Sequence, residues 1–186
     1  RLYHFPSNRS PDRGMVNTYP VSIGRMDWKT PLGDSRVVSK QRDPSWYPPK
    51  SVRDEAAAAG DTLPARVPPG PDNPLGRFAL RLSQPGYLIH GTNKPFGVGM
   101  RVTHGCIRLL PEDIEALFEK VATGTPVQIV NQTVKTGWHQ GVLYIEVHPP
   151  LEEDDTARAD LLRFTLEQVY AELADTPAVL DAQALR

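Results

Sequence analysis

His90, Arg108 and, between them, the run Thr103-His104-Gly105-Cys106 are the residues of this 186-residue chain whose types and spacing could do chemistry together. Cys106 is the one cysteine, so it has no disulfide partner within the chain. A free thiol titrates near about 8.5, and only a few per cent is thiolate at neutral pH. Use as a nucleophile therefore requires a base or a positive field beside it. His104 stands two residues away, where its tether gives the wrong orientation for in-line proton transfer. His90 lies 16 residues upstream, at the end of the strand-like stretch "YLIHG". If strands 87–90 and 101–104 are neighbours, the His90 imidazole faces the thiol. The Gly91 carbonyl could then orient the ring, completing a nucleophile–base–orienter set. The N–H groups of His104, Gly105 and Cys106 would converge on the oxygen of an attacked carbonyl. One such donor is typically worth about a hundred- to a thousandfold in rate.

Plainer readings exist for each residue. A lone cysteine is ordinarily a small buried hydrophobe, and a strand-end histidine ordinarily bonds backbone. The Thr-His-Gly run before Cys106, with His90 upstream, shifts the balance to catalysis. His104 fits a loop brace better than a base. His90, His104 and Cys106 are also zinc-ligand types. No second cysteine, HExxH or CxxC accompanies them, so no metal site is expected, and nothing indicates a cofactor. "GVGMRV" lacks the third glycine of a dinucleotide fingerprint. No S-x-x-K is present for a serine acyl-transfer mechanism.

The elements that must position these residues are short. Nineteen prolines and 14 glycines point to a turn-rich, mainly β body rather than a helix bundle. Leu2–Phe5 and Met15–Ile23 read as a hairpin, and residues 36–43 as a strand leaving the body. Residues 43–76 form a long excursion holding eight prolines and one helical stretch, "SVRDEAAAAG", with Ser51 as its cap. Tracts of this length are often functional lids, so the excursion is expected to lie over the cleft of Cys106. Strands follow at "RFALRL" and "YLIHG". A helix opens at Pro111, with Ile114, Leu117, Phe118 and Val121 on one face. "TPVQIVN" and "GVLYIEV" read as further strands. A final helix opens on four acids, with Leu162, Leu166, Val169, Tyr170 and Leu173 as its packed face. The expected division is 1–131 for the catalytic body and 132–186 for an extension of a strand pair and a helix.

The net charge of −1 excludes a strong polyelectrolyte partner, so no nucleic acid is expected. No apolar run reaches membrane-spanning length. The chain opens on strand-like residues at Arg1, so a removed export segment is expected to precede it.

The stretch "YLIHGTNKPFGVGMRVTHGCIRLLPEDIEALF" resembles the signature of the L,D-transpeptidase family (YkuD-type catalytic domain). "TPLG" and "DNPLGRFAL" resemble further segments of that domain, and the likeness covers roughly residues 1 to 131. The resemblance implies a β-sandwich of mixed sheets with a few short helices, here followed by a C-terminal helix. It implies action on peptidoglycan tetrapeptide stems, with release of terminal D-alanine and passage of the acyl group to an amine. By the match, Cys106 is the nucleophile, His90 the base, and His104, Gly105 and Gly91 the orienting and oxyanion group. Thr103, Tyr87 and Arg108 are expected to contact substrate. Arg108 stands where some members carry asparagine, and the arginine form belongs to the Gram-negative branch. That branch places the chain in the periplasm. The acceptor could be a second stem, the terminal lysine of an outer-membrane lipoprotein, or water, which would make the protein a hydrolase. A non-catalytic wall-binding module is the rival of a different class.

Overall fold

The computed structural model describes residues 1–8, 10–151 and 155–179. The chain divides into two compact units, Arg1–Ile129 and Val130–Arg186. The first opens with strands β1 (Leu2–His4) and β2 (Asn17–Tyr19), antiparallel with Leu2 opposite Tyr19. The expected second arm breaks at Pro20, which cannot donate to a ladder. Its far end forms β3 (Ile23–Gly24) instead.

Five strands make the main sheet. In chain order they are β4 (Gly33–Arg42), β5 (Phe78–Leu82), β6 (Leu88–His90), β8 (Ile107–Arg108) and β9 (Pro126–Ile129), arranged β8-β6-β5-β4-β9. The remaining strand, β7 (Arg101–Thr103), pairs in parallel with β3. The sheet is mixed: β4, β5, β6 and β9 pair antiparallel, whereas β6 and β8 run parallel. The fold is thus mainly β. Of residues 36–43, expected to leave the body, 36–42 belong to its longest strand. Val37 there is 1% exposed, and β5 on one side and β9 on the other hold it inside the sheet.

Helix α2 (Pro111–Lys120) covers this sheet. Proline at its first position costs no hydrogen bond, and Glu112 and Asp113 sit at the positive end of its dipole. Ile114, Leu117, Phe118 and Val121 are all buried, as their spacing predicts, against Phe78, Leu80 and their neighbours. Burying such a side chain contributes roughly 1.5–3 kcal/mol. Lys40 on β4 donates to the last carbonyls of the helix, those of Phe118 and Val121, and its ammonium lies 4.3 Å from the Phe118 ring centre. A cation thereby caps the negative helix end.

The excursion carries α1 (Lys50–Ala58), which ends before Gly60. Ser51, expected as its cap, is the helix's second residue; Pro49 stands at the cap position without a side-chain bond. The tract is pinched shut by reciprocal backbone bonds between Trp46 and Val67 at 2.9 and 2.8 Å. Its staple is Asn73, fully buried. The Asn73 amide nitrogen lies 2.8 Å from the Pro44 carbonyl and within reach of those of Val67 and Pro68, and its oxygen accepts from the Leu75 amide. One side chain therefore ties the start, middle and end of the excursion together.

The second unit is a hairpin of β10 (Val134–His139) and β11 (Val142–Val147) with helix α3 (Asp155–Asp175) against β10. Glu172 on the helix accepts from Thr136 Oγ1 and Trp138 Nε1. The expected packed face of α3 is rotated by about one residue. Leu162 and Tyr170 are 72% and 65% exposed, and the less exposed positions are Leu161, Phe164, Val169 and Leu173. Two apolar stripes compete on this helix, and the hydrogen bonds of Glu172 select the one that shares its side. Glu152, Glu153 and Asp154, expected to open the helix, lie outside the described residues.

Replacing Asn73 by alanine strands the buried Pro44 carbonyl and releases the excursion. The Asn73→Ala protein should lose about 1–3 kcal/mol of stability. A lowered urea midpoint, with protease cleavage appearing between residues 43 and 76, is the expected readout.

Candidate active site

Parallel pairing of β6 with β8 sets Ile89 opposite Ile107 and His90 opposite Arg108. Strand side chains alternate, so Ile89 and Ile107 face the core while His90 and Arg108 share the other face. Cys106, two residues before Arg108, falls on that same face. The expected neighbour of strand 87–90 was the segment 101–104. That segment pairs with β3 instead, and the two residues after Cys106 form the partner of β6. The thiol thus sits at the entry of a strand rather than at the exit of one.

His90 is 4% exposed, and its Nδ1 donates to the Gly91 carbonyl at 2.6 Å. That bond places the ring proton on Nδ1 and leaves Nε2 as the basic lone pair. Burial, and then the positive charge of Arg108, push the His90 pKa down to about 4, against the opposing pull of the Gly91 and Leu75 carbonyls. Burial also raises the Cys106 thiol, partly offset by the Leu88 backbone and by Arg108. At neutral pH the pair is an uncharged imidazole and an uncharged thiol. Cys106 Sγ donates to the Gly86 carbonyl at 3.7 Å, and among the described residues no hydrogen bond joins it to His90. The thiol's hydrogen bond goes to backbone instead of to the expected imidazole.

Arg108 is the charged member of the group. Its Nε is buried without a partner, and desolvation lowers its pKa. A buried guanidinium nitrogen with an unmet donor favours an incoming anion or oxyanion.

The turn before Cys106 is braced on all sides. Gly105 has φ of +100°, and a side chain there would meet the Tyr87 ring at 2.8 Å, so only glycine fits. Its carbonyl accepts from Thr30 Oγ1 at 2.8 Å. Thr103, expected to contact substrate, is 2% exposed, and its hydroxyl is taken up by the Cys106 carbonyl and the Gly105 amide. Its short, buried side chain makes it a brace. The same bond removes the Gly105 amide from the expected trio of oxyanion donors, leaving those of His104 and Cys106. Tyr87, also expected at the substrate, packs its ring on Gly105 and the core. The His104 ring is held by partners other than the sulfur: its Nε2 donates to Glu55 Oε2 at 2.6 Å, and its ring meets Trp28 edge-on at 5.2 Å.

Both parts of the excursion reach this site. Glu55 of α1 meets His104, and Gly76 packs so closely on Gly91 and Thr92 that an added Cβ would lie 2.9 Å from the Thr92 nitrogen. A cavity of about 400 Å³ lies at the base of the excursion, with Asp43, Asn73, Arg77, Gly91, Asn93 and Glu115 among its walls. Sequence reasoning missed Glu55, Asn73, Trp28 and Thr30. All four act across long sequence separations; Thr30 and Asn73 fall within the family-like segments "TPLG" and "DNPLGRFAL", but neither segment points to its bonding partners. Among the described residues, no group of three or more His, Cys, Asp or Glu is placed to hold a metal ion. No helix among them is long and apolar enough to cross a membrane.

Proton-detected titration of His90 should show a midpoint near pH 4. Arg108→Gln should move it upward, since the imidazolium no longer faces a like charge. The midpoint should stay below the ordinary histidine value because burial, the larger cause, remains. A downward shift would contradict this electrostatic account.

The model of the YkuD family, the L,D-transpeptidase catalytic domain, matches residues 8–129. The probable L,D-transpeptidase YcfS of Escherichia coli K12 is 41% identical over 191 residues, which cover 100% of this chain and 58% of that protein. The probable L,D-transpeptidase YbiS of the same strain is 46% identical over 153 residues, covering 81% of this chain and 48% of its own. A crystal structure of an L,D-transpeptidase from Mycobacterium tuberculosis H37Rv is 27% identical with a TM-score of 0.43, covering 66% of this chain and 45% of that one. The chain spans about half the length of the curated relatives it matches. With the match running from residue 8 through the thiol motif to the end of β9, the chain belongs to the YkuD family of L,D-transpeptidase catalytic domains.

Proposed function

We propose that the chain is a cysteine-dependent L,D-transpeptidase acting on peptidoglycan tetrapeptide stems in the periplasm, without metal or cofactor. One observation carries the reading. A thiol, a neutral buried histidine clamped by a carbonyl, and an arginine whose Nε has no partner among the described residues share one face of two paired strands.

In the proposed reaction, Cys106 rotates from the Gly86 carbonyl towards the Nε2 side of His90. Sulfur attacks the carbonyl carbon between the L-centre and the terminal D-alanine, and the thiol proton passes to Nε2. Arg108 and the Cys106 amide face the oxyanion that forms. The C–N bond breaks, His90 returns the proton to the leaving amine, and D-alanine departs. An acceptor amine then attacks the thioester, gives its proton to His90 and restores the thiol. The amine belongs to a second stem or to the terminal lysine of an outer-membrane lipoprotein. Neutral His90 is suited to the first step because it must accept a proton, and its low pKa keeps it unprotonated across ordinary periplasmic pH. A low pKa also makes it a weak base, so proton transfer is expected to proceed in concert with sulfur attack.

Incubating the protein with purified tetrapeptide-stem fragments should release D-alanine and form a cross-linked product, both read by mass spectrometry. Cys106→Ser should leave the fold intact and remove turnover by at least about a hundredfold, because a hydroxyl lacks the thiol's acidity and nucleophilicity. A carbapenem-type β-lactam should add one drug mass to the wild type and none to the variant. Persistent turnover by the serine variant would overturn the nucleophile assignment.

A further inference from the structure

Glu55 is carried by the excursion, 49 residues before His104, yet its carboxylate holds both His104 Nε2 and the Arg25 guanidinium. Those bonds, Arg25 first and His104 second, hold its pKa below the usual carboxylate range, so the group is ionised at neutral pH. Its side chain is 41% exposed. A pair this open contributes little to stability after solvent screening. Its consequence is geometric.

The turn His104-Gly105-Cys106 is anchored to the body by Thr30 on the Gly105 carbonyl, by Tyr87 under Gly105, and by Thr103 on the Cys106 carbonyl. The remaining handle is the His104 side chain. Trp28 meets one edge of its ring, and Glu55 receives its Nε2 proton. The His104 ring is therefore fixed in rotation by a residue of the excursion. The peptide units on either side of His104 and Cys106 follow that ring, and they carry the amides still available for an oxyanion.

We infer that Glu55 is a positioning residue for acyl transfer, a carboxylate by which the excursion sets the oxyanion geometry of the Cys106 turn through His104. The inference rests on the acyl-enzyme reading above and assigns Glu55 no contact with substrate. It makes the excursion a part of the catalytic framework.

Two reactions of the same sulfur separate this role from a general one. Acylation by a carbapenem-type β-lactam passes through a tetrahedral oxyanion. Alkylation by iodoacetamide needs the thiol and its accessibility but no oxyanion donors. Glu55→Ala should slow acylation by roughly tenfold, a fraction of what a full donor supplies, and leave alkylation unchanged. His104→Ala should slow acylation at least as much. The double variant should match His104→Ala alone, because both changes cut one chain of contacts. Glu55→Gln keeps an oxygen acceptor for Nε2 and should recover most of the acylation rate, which also guards against a folding defect in the alanine variant. Unchanged acylation in Glu55→Ala, an equal fall in alkylation, or additive losses in the double variant would each overturn the inference. Failure of the wild type to form any adduct while alkylating normally would instead sink the acyl-enzyme reading, and this inference with it.

Discussion

The parallel pairing of β6 with β8 is the constraint on which the site depends. Parallel neighbours cannot be joined by a tight turn and need a crossover of about a dozen residues or more. Residues 91–106 are that crossover. Its length lets the chain leave at His90, travel out to pair β7 with β3, and return so that Arg108 lands beside His90. The backbone is then locked at the join: Leu109 donates to the His90 carbonyl at 2.9 Å, and Gly91 donates to Phe78 at 3.1 Å. A one-residue slip of β8 would turn Cys106 and Arg108 to the core face and bring Ile107 into the site. The buried Ile89–Ile107 pair opposes such a slip, so the hydrophobic core enforces the catalytic register.

How much of this was legible in the sequence follows from the range of each signal. Helix α2 was readable because its proline, acids and apolar spacing all lie within ten residues. The bond of the His90 ring to the Gly91 carbonyl was readable because a strand-end histidine ordinarily bonds nearby backbone. The strand pairing was not. Residues 101–103 and 107–108 are both short, each with one apolar side chain and an arginine, and either could have lain beside β6. The structure pairs residues 101–103 with β3, whose Gly24 has no room for a side chain: a Cβ there would lie 1.9 Å from the Trp28 carbonyl and 3.0 Å from the Gly105 Cα. The family resemblance marks Thr103 as a substrate contact. Its hydroxyl is instead consumed by the turn it helps to shape.

The excursion shows the same limit from another side. Its prolines and length marked it as ordered and purposeful, since proline lowers the entropy that ordering must overcome. Beside the Trp46–Val67 pair, what holds it closed is one buried amide, Asn73, whose nitrogen lies against carbonyls 5, 6 and 29 residues away. A lone asparagine within "GPDNPLG" reads as a turn residue, and nothing local separates a turn asparagine from a staple. The C-terminal helix gave a comparable ambiguity. Leu162-Leu166-Tyr170 and Leu161-Phe164-Val169 are both plausible apolar faces, and a polar contact at Glu172 decides between them.

Under the proposed chemistry the electrostatics of the resting site have a direction. Burial disfavours the thiolate and the imidazolium alike, so the site rests uncharged except for Arg108. That guanidinium carries the cost of a buried Nε without a partner, held there by β8 pairing and by its bridge to Ser22. Among the described residues, neither the thiol nor the imidazole bonds to that donor. The tetrahedral state brings the missing anion. Its formation relieves the Arg108 deficit, while the same positive charge opposes protonation of His90 and hastens return of the proton to the leaving amine. Interactions incomplete in the ground state and complete in the transition state are the ones that lower a barrier. The strand register that sets Arg108 beside His90 is therefore also what biases the site towards acyl transfer.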